Sequence, residues 1–316
     1  KWNDIKIFIE YGMLTDEKFC DAALKFMLLE DTEGQFFKLD DYKKLIEGNQ
    51  TDKDGNLVYL YATDKEAQYS YIKAANDKGY NVLMMDGQLD IPFVSMLEQK
   101  NEKSRFVRVD SDVIDNLIRK EDDKKSELSA DEQAMASTLF KSQIPAIEKS
   151  EFYVSFAALA ATDQPVVITQ SEYMRRMKEM AQFQSGMNFY GELPNAYNLT
   201  LNTNHPVVKK VIEAANSSLE GELKPVNEEL KATNAVIEAI KSLDKDGKGV
   251  PEDKKADLKT NEDKATELRA KKDELISKYA AGNDTVKQLI DIALLGNGLL
   301  KGEALSNFLK RSVSLL

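Results

Sequence analysis

The sequence predicts an α/β protein made of two domains, and three observations carry that prediction. Short apolar runs alternate with helical patterns between residues 50 and 110, which is typical of a small parallel sheet covered by helices. An almost purely charged stretch, residues 119–131, separates this region from the rest of the chain. The 316 residues, 42% of them apolar, are enough for two cores of ordinary size.

We therefore expect a small three-layer αβα subdomain within residues 1–118, and residues 119–131 as a charged linker. Residues 132–316 are predicted to form an α+β domain. This second domain ends in a helical bundle and carries an inserted, charged helical hairpin at 221–282.

The composition excludes several classes of protein. Cys20 is the one cysteine and His205 the one histidine, which argues against a disulfide framework, a multi-cysteine metal site and histidine-based catalysis. The formal charge of −11 argues against sequence-independent nucleic-acid binding, which depends on neutralising phosphates. No apolar run approaches the ~20 residues of a membrane span. We expect a cytoplasmic protein that binds neither nucleic acid nor membrane.

The first domain opens with helical patterns and continues with strands. Trp2, Ile5, Phe8 and Ile9 recur at helical spacing, and a second helix begins near Thr15. Because the helical pattern already holds at Lys1, we expect the chain to be a fragment of a longer protein. The predicted elements that follow are strands at 57–61, 80–85 and 106–109, with helices at 64–78 and 91–98 between them.

The second domain mixes helices and strands. Its predicted elements are a helix over 132–147, strands over 152–159 and 166–168, a helix over 170–184, a strand over 197–201 and a helix opened by residues 204–206. Heptad-spaced apolar positions follow at 221–282, divided by a glycine-containing break at 244–249, which predicts two antiparallel helices.

The predicted helix over 170–184 and the residues after it are rich in methionine. Steps of three residues advance around a helix, so these side chains wrap around it and do not form one narrow seam. Flexible thioethers suit a surface that accepts apolar partners of different shape, although core packing accounts for the same spacing. Both interpretations stay open for Met174, Met177, Met180, Phe183 and Met187.

Two amphipathic patterns end the chain, and little sequence remains for them to pack on. Either they fold back on residues 150–215, or they pair with the same helices of a second copy in a twofold bundle, which we favour. The residues predicted to form that dimer interface are Leu289, Ile290, Ala293, Leu294, Leu305, Phe308 and Leu309.

Five stretches resemble the ninety-kilodalton heat-shock chaperone family. In the first domain these are 2–19 (WNDIKIFIEYGMLTDEKF) and 71–97 (YIKAANDKGYNVLMMDGQLDIPFVSML). In the second domain they are 159–180 (LAATDQPVVITQSEYMRRMKEM), 201–211 (LNTNHPVVKKV) and 294–316 (LLGNGLLKGEALSNFLKRSVSLL). Residues 221–282 have no counterpart in the family pattern.

The resemblance implies a molecular chaperone, with the distal part of the middle domain followed by the carboxy-terminal dimerisation domain. It implies a homodimer, contact of the methionine-bearing helix with unfolded or partly folded client proteins, and coupling to ATP and Mg bound by an amino-terminal domain upstream of Lys1. No catalytic residue and no cofactor is then expected within this chain. Two rival functions remain: a structural adaptor working through the charged hairpin 221–282, and a small-molecule enzyme built on the first sheet.

Overall fold

Two separate three-stranded sheets organise the chain, one in each predicted domain. The computed structural model describes residues 1–120, 126–181, 193–244 and 249–314. Within these residues helices and sheets are mixed in both halves, so the α/β class is confirmed.

The first domain begins with α1 (Trp2–Thr15) and α2 (Glu17–Ala23). Asp16 caps α2, because its side chain accepts a hydrogen bond from the Phe19 backbone N–H at 2.9 Å. Trp2 is half-buried as the spacing suggests, but Phe8 is 73% exposed. The face of α1 that lies inward carries Met13, which the periodicity did not single out.

A short hairpin and a helix follow that the sequence did not predict. They are β1 (Leu28–Glu30), β2 (Phe36–Lys38) and α3 (Leu39–Ile46). Each strand has three residues, which is too short for a periodic pattern to emerge. The turn between them is held by the Asp31 carboxylate, which accepts hydrogen bonds from the backbone of Glu33 and Gln35 at 2.9 Å each.

The predicted parallel sheet is confirmed. Its strands are β3 (Leu57–Ala62), β4 (Val82–Met84) and β5 (Ser104–Arg108), in the order β4-β3-β5, and both pairs are parallel. Helices α4 (Tyr69–Asp77), α5 (Asp90–Lys100) and α6 (Ile114–Leu117) cover it. Every residue of β3 is buried, because helices pack on both faces of this central strand.

The second domain begins with α7 (Ala130–Lys141), which is shorter than the predicted helix over 132–147. Ser129 and Glu132 cap its start reciprocally. The sheet contains β6 (Ser150–Ala157), β7 (Val166–Gln170) and β8 (Asn195–Asn202) in the order β6-β8-β7, with α8 (Glu172–Ala181) after β7. β6 runs parallel and β7 antiparallel to β8.

The charged hairpin is an extension of the second domain's own helices. α9 (Pro206–Lys241) runs without interruption through the boundary predicted at residue 221, and α10 (Glu252–Ala281) returns beside it. His205 caps α9 through its imidazole, which accepts from the Val207 N–H at 3.3 Å. Near the base of the hairpin, Leu223 and Ile276 belong to the domain core. Removing 221–282 would therefore remove core residues as well as the projecting part.

Two helices close the described chain, α11 (Asp284–Gly296) and α12 (Gly302–Ser314). Asn283 caps α11, accepting from the Val286 N–H at 3.1 Å. The Arg311 side chain binds Asp291 and donates to Gln288 Oε1 at 2.9 Å, which fixes α12 against α11. In the part of the chain that the structure describes, no helix combines the length and the apolar character needed to cross a membrane.

A buried pair of carboxyl groups lies between α1 and the start of α5. Glu10 is 4% exposed and Asp90 2% exposed, and Lys6 lies 3.7 Å from Glu10 Oε1 and 3.2 Å from Asp90 Oδ1. Burial, and then the charge of Asp90, raise the pKa of Glu10 to about 8, against the opposing effect of Lys6. Asp90 is itself held by the Gly87 N–H at 2.7 Å. Glu10 therefore carries a proton at neutral pH.

We expect this proton to make stability depend on pH. Between about pH 5 and about pH 8 the folded chain retains a proton on Glu10 that the unfolded chain has released, so the free energy of unfolding falls as pH rises, by at most ~1.4 kcal/mol per pH unit. Glu10→Gln should remove that part of the slope in urea unfolding measured across this range. The matched control, Glu33→Gln at an exposed turn, should keep it. An unchanged slope in Glu10→Gln would contradict the assignment.

Candidate functional site

The methionine-bearing helix α8 lies where the two domains meet. It begins directly after β7, and its first turn contacts β3 and β5 of the first domain. Met174, Met177 and Met180 are all half-buried, so they are neither a sealed core nor a free surface. The other two candidates, Phe183 and Met187, lie outside the described residues.

One carboxylate at the start of α8 collects hydrogen bonds from both domains. Glu172 Oε1 accepts from the Tyr61 hydroxyl at 2.7 Å, from Arg175 Nη2 at 2.7 Å and from Arg176 Nε at 2.6 Å. Its second oxygen accepts from the Arg108 backbone N–H at 3.2 Å. Tyr61 lies on β3 and Arg108 on β5, so this side chain of the second domain is bound to two strands of the first.

The two arginines extend these contacts along α8 and back to the first domain. Arg176 donates to Glu98 Oε2 on α5 at 2.8 Å and to the Phe106 carbonyl oxygen on β5 at 2.6 Å. Arg175 donates to Glu179 at 2.7 and 2.6 Å and to the Tyr61 hydroxyl. We call the side chains of Tyr61, Glu98, Glu172, Arg175 and Arg176 the Glu172 cluster.

The charges of the Glu172 cluster compensate one another. Burial alone would raise the pKa of Glu172, but the charges of Arg175 and Arg176 outweigh it and hold that pKa below its ordinary value. Burial, followed by the charge of Glu172, raises the pKa of the Tyr61 hydroxyl. Glu172 is therefore ionised and Tyr61 is a neutral hydrogen-bond donor throughout the physiological range. Such charge-assisted bonds are the stronger kind.

A cleft of about 640 Å³ opens beside the Glu172 cluster, between α8 and the first domain. Its apolar lining includes Met177 and Met180 from the second domain and Phe106 and Leu117 from the first; Arg105 and Arg119 lie at the same cleft. Arg105 is 51% exposed at its side chain and lies 3.6 Å from Asp52. The cleft combines adaptable apolar groups with exposed cationic ones.

This arrangement is suited to binding an apolar partner. Thioether and aromatic groups at a partly open cleft can contact apolar side chains of a partner. Among the described residues, no group of three or more His, Cys, Asp or Glu side chains could hold a metal ion. Sequence reasoning found the methionines but missed the Glu172 cluster, for which the adjacent arginines in a methionine-rich helix were the available signal.

The residues predicted to form a dimer interface are mostly inside the domain. Ile290 and Leu294 are fully buried, and Leu289, Ala293 and Phe308 are 6–8% exposed, all in the core shared with the sheet. Leu305 is half-buried. Leu309, at 54% exposure, is the one residue of the seven with a largely open side chain. Dimerisation through them stays a prediction, but most of their area is already used within one chain.

An apolar strip on the two closing helices is left open instead. Its members are Ile292 (50% exposed) and Leu295 (44%) on α11, and Leu309 (54%) and Val313 (71%) on α12. Spacings of three and four residues place each pair on one face of its helix. We call these four side chains the exposed strip. Of these four, the predicted interface included Leu309 alone, because periodicity does not distinguish the face that packs inward from a neighbouring apolar position.

The whole chain is similar to curated chaperones. It is 52% identical to the chaperone protein HtpG of Bacteroides thetaiotaomicron, 53% to that of Bacteroides fragilis strain YCH46 and 51% to that of Porphyromonas gingivalis strain ATCC 33277, in each case over all of this chain. The chain spans about half the length of these relatives, 46–47%. A comparison with protein-family models finds no match. The alignments include the hairpin, since they cover the chain in full.

The exposed fraction of each leucine side chain predicts how much that leucine stabilises the fold. Leu294→Ala should lower the free energy of unfolding by about 2–5 kcal/mol, because it empties a fully buried site. Leu45→Ala, a control at a 52% exposed position of α3, should change it by less than about 0.5 kcal/mol. Chemical denaturation followed by circular dichroism measures both. Equal effects would show that the core assignment of α11 is wrong.

Proposed function

This chain belongs to the HtpG chaperone family, and from that premise we propose that it supplies the surfaces through which such a chaperone binds unfolded or partly folded client proteins and pairs with a second copy of itself. The observation that supports the proposal is that Met174, Met177 and Met180 of α8 are half-buried beside an open cleft between the domains. We call these three side chains the methionine face.

Client contact is proposed for Met174, Met177 and Met180, with Phe183 and Met187 as the further members predicted from the sequence. An unfolded chain offers apolar side chains of many shapes, and unbranched thioethers can adjust to them at modest cost. The cleft of about 640 Å³ is large enough for one or two such side chains but too open to enclose a small ligand fully. Binding would therefore be broad in specificity and moderate in affinity.

Pairing is proposed to use the exposed strip. A twofold interface needs a self-complementary surface, and four exposed apolar side chains on two helices in contact with each other supply its centre. The buried residues beneath, such as Leu294 and Phe308, would hold these helices in place without touching a partner.

ATP and Mg are proposed to act in the part of the whole protein that this chain does not cover. Client binding here would then respond to nucleotide bound and hydrolysed elsewhere in the same polypeptide. We further propose that the protein works in the cytoplasm, where the buried thiol of Cys20 would remain reduced.

We expect the methionine face to determine client affinity. The double variant Met177→Ser with Met180→Ser should bind a reduced and alkylated protein that cannot refold about tenfold more weakly, since ~1.4 kcal/mol of lost apolar contact corresponds to a factor of ten. Fluorescence anisotropy of the labelled client measures this.

The matched control is Met177→Leu with Met180→Leu, which keeps the apolar area and should stay within a factor of about three of the wild-type affinity. Far-ultraviolet circular dichroism verifies that each variant is folded. If the serine variant bound the client as tightly as the unmodified chain, the proposed client site would be wrong.

The exposed strip should determine the oligomeric state. Leu309→Glu with Val313→Glu should shift the chain from dimer to monomer, because two buried, unpaired carboxylates oppose association. Val236→Glu, at a 45% exposed position on the hairpin, is the matched control and should leave the mass unchanged. Multi-angle light scattering gives the mass directly. Pairing through the exposed strip would be refuted if the unsubstituted chain were monomeric. It would also be refuted if the chain with both glutamate substitutions were still dimeric.

A further inference from the structure

The two three-stranded sheets have four outer edges, on β4, β5, β6 and β7. An outer edge presents a row of backbone N–H and C=O groups that need partners, and native proteins usually cover it. On β4, the Val82 carbonyl oxygen accepts from the Thr32 N–H at 2.9 Å. On β7, the Ile168 carbonyl oxygen accepts from the Tyr71 hydroxyl at 2.5 Å. Other parts of the chain therefore supply partners to both of these edges.

Side chains close the edge of β5. The Phe106 N–H donates to Glu98 Oε1 at 2.7 Å, and the Phe106 carbonyl oxygen accepts from Arg176 Nη2 at 2.6 Å. Two positions further along, the Arg108 N–H donates to Glu172 Oε2 at 3.2 Å. Because these are alternate residues of β5, the three side chains take the place of a neighbouring strand. The Glu172 cluster therefore occupies this edge.

The edge of β6 has no such cover. The Lys149 carbonyl oxygen accepts from the Asn195 N–H at 2.7 Å, which sets the odd-numbered residues of β6 against β8. The backbone groups of Phe152, Val154 and Phe156 therefore point to the opposite side. Among the described residues, none donates to or accepts from these three N–H and three C=O groups.

The sequence of β6 also lacks the features that usually protect an edge strand. Natural proteins place lysine, proline or a bulge on exposed edges to prevent unwanted pairing. Residues Ser150–Ala157 contain neither lysine nor proline, Glu151 is their one charged residue, and they pair with β8 in continuous register without a bulge. Their aromatic and β-branched side chains favour strand geometry. β6 is therefore suited to receive a further strand.

We propose that the edge of β6 binds an extended segment of an unfolded client by strand addition, with the outward backbone groups of Phe152, Val154 and Phe156 as its partners. Such bonds are made to the main chain of the client, so they tolerate many client sequences. An unfolded chain has main-chain N–H and C=O groups free to form them, whereas a folded protein has already paired most of its own. This choice of partner rests on the proposed function, although the open edge itself does not.

The edge lies close enough to α8 for one client to use both sites. Lys178 Nζ of α8 donates to Asn195 Oδ1 at 2.7 Å, and Asn195 pairs with Ser150 at the first position of β6. A strand added to β6 would lie two strand spacings, ~10 Å, from β8. Main-chain bonds at the edge and apolar contacts at the methionine face would then hold the same client.

Amide hydrogen exchange, read for each residue by nuclear magnetic resonance in the full 316-residue chain, tests the register of this pairing. When a reduced and alkylated client protein is added to saturation, exchange at Phe152, Val154 and Phe156 should slow by about tenfold or more. The N–H groups of Tyr153 and Ser155 already face β8 and should change little. Unchanged exchange at the three outward amides while the client binds would overturn the proposal. Slowing that follows chain concentration without any client would also overturn it, because the occupant would then be a second copy.

A change in the backbone of the ligand separates main-chain from side-chain recognition. The probe is a labelled peptide of alternating valine and threonine flanked by lysines, and its matched control has the same side chains with methylated amide nitrogens. Methylation removes the donors that strand addition needs, so the control should bind about tenfold more weakly in fluorescence anisotropy. Equal affinities of the two peptides would contradict strand addition.

A substitution in β6 tests the same bonds from the side of the protein. Val154→Pro removes one outward N–H and no bond to β8, and it should weaken binding of the client and of the unmethylated peptide several-fold. Val154→Ala keeps that N–H and is the matched control, which should bind as the parent chain does. If circular dichroism shows that Val154→Pro is unfolded, the exchange rates and the methylated peptide decide.

The edge and the methionine face can fail separately. If Met177→Ser with Met180→Ser leaves client binding unchanged while Val154→Pro weakens it, the edge stands and the proposed client site on α8 falls. If the serine variant weakens client binding while folded Val154→Pro and the methylated peptide bind normally, strand addition is wrong and the methionine face stands.

Discussion

The bond between the Glu172 carboxylate and the Tyr61 hydroxyl is the contact on which the arrangement of this molecule depends. It spans 111 positions of sequence and joins the first turn of α8 to the central strand of the other domain. Burying an ionised carboxylate is costly unless it is fully hydrogen-bonded, and here two arginines, a phenol and a backbone N–H supply the partners. Removing any one partner leaves charge poorly compensated, so the contact favours one orientation of the domains.

This constraint explains why the methionines of α8 are half-buried. Side chains point outward all around a helix. Because one side of α8 directs Arg175 and Glu172 towards the first domain, another side of the same helix points away from it. Met177 and Met180 lie at the edge between these faces, where the cleft begins. The spacing could not decide between core packing and an open surface, and the structure shows part of each, since the same side chains contact the protein on one side and open space on the other.

Much of the fold could be predicted from local sequence patterns. The Glu172 cluster could not, because it joins residues that are far apart in the sequence. The run of apolar residues in β3 predicted a central parallel strand, because such a strand is buried on both faces. The change of composition at 221 suggested a boundary, yet α9 continues through it, because a helix needs only suitable spacing and not constant composition. Leu294 and Leu309 looked equivalent in the amphipathic pattern. Which one faces the core depends on β7 and α7, which pack against α11.

The second domain has a single core that joins its sheet to its helices. Its sheet, both helices of the hairpin and the two closing helices contribute to one continuous cluster of buried side chains, from Met135 to Phe308. Close-packed cores of this kind move as a unit, because any internal shift opens voids. The closing helices, and with them the exposed strip, are therefore held in a fixed position relative to the sheet of the second domain. If two copies pair through that strip, they meet at surfaces whose shape is held by the core beneath, which a self-complementary interface requires.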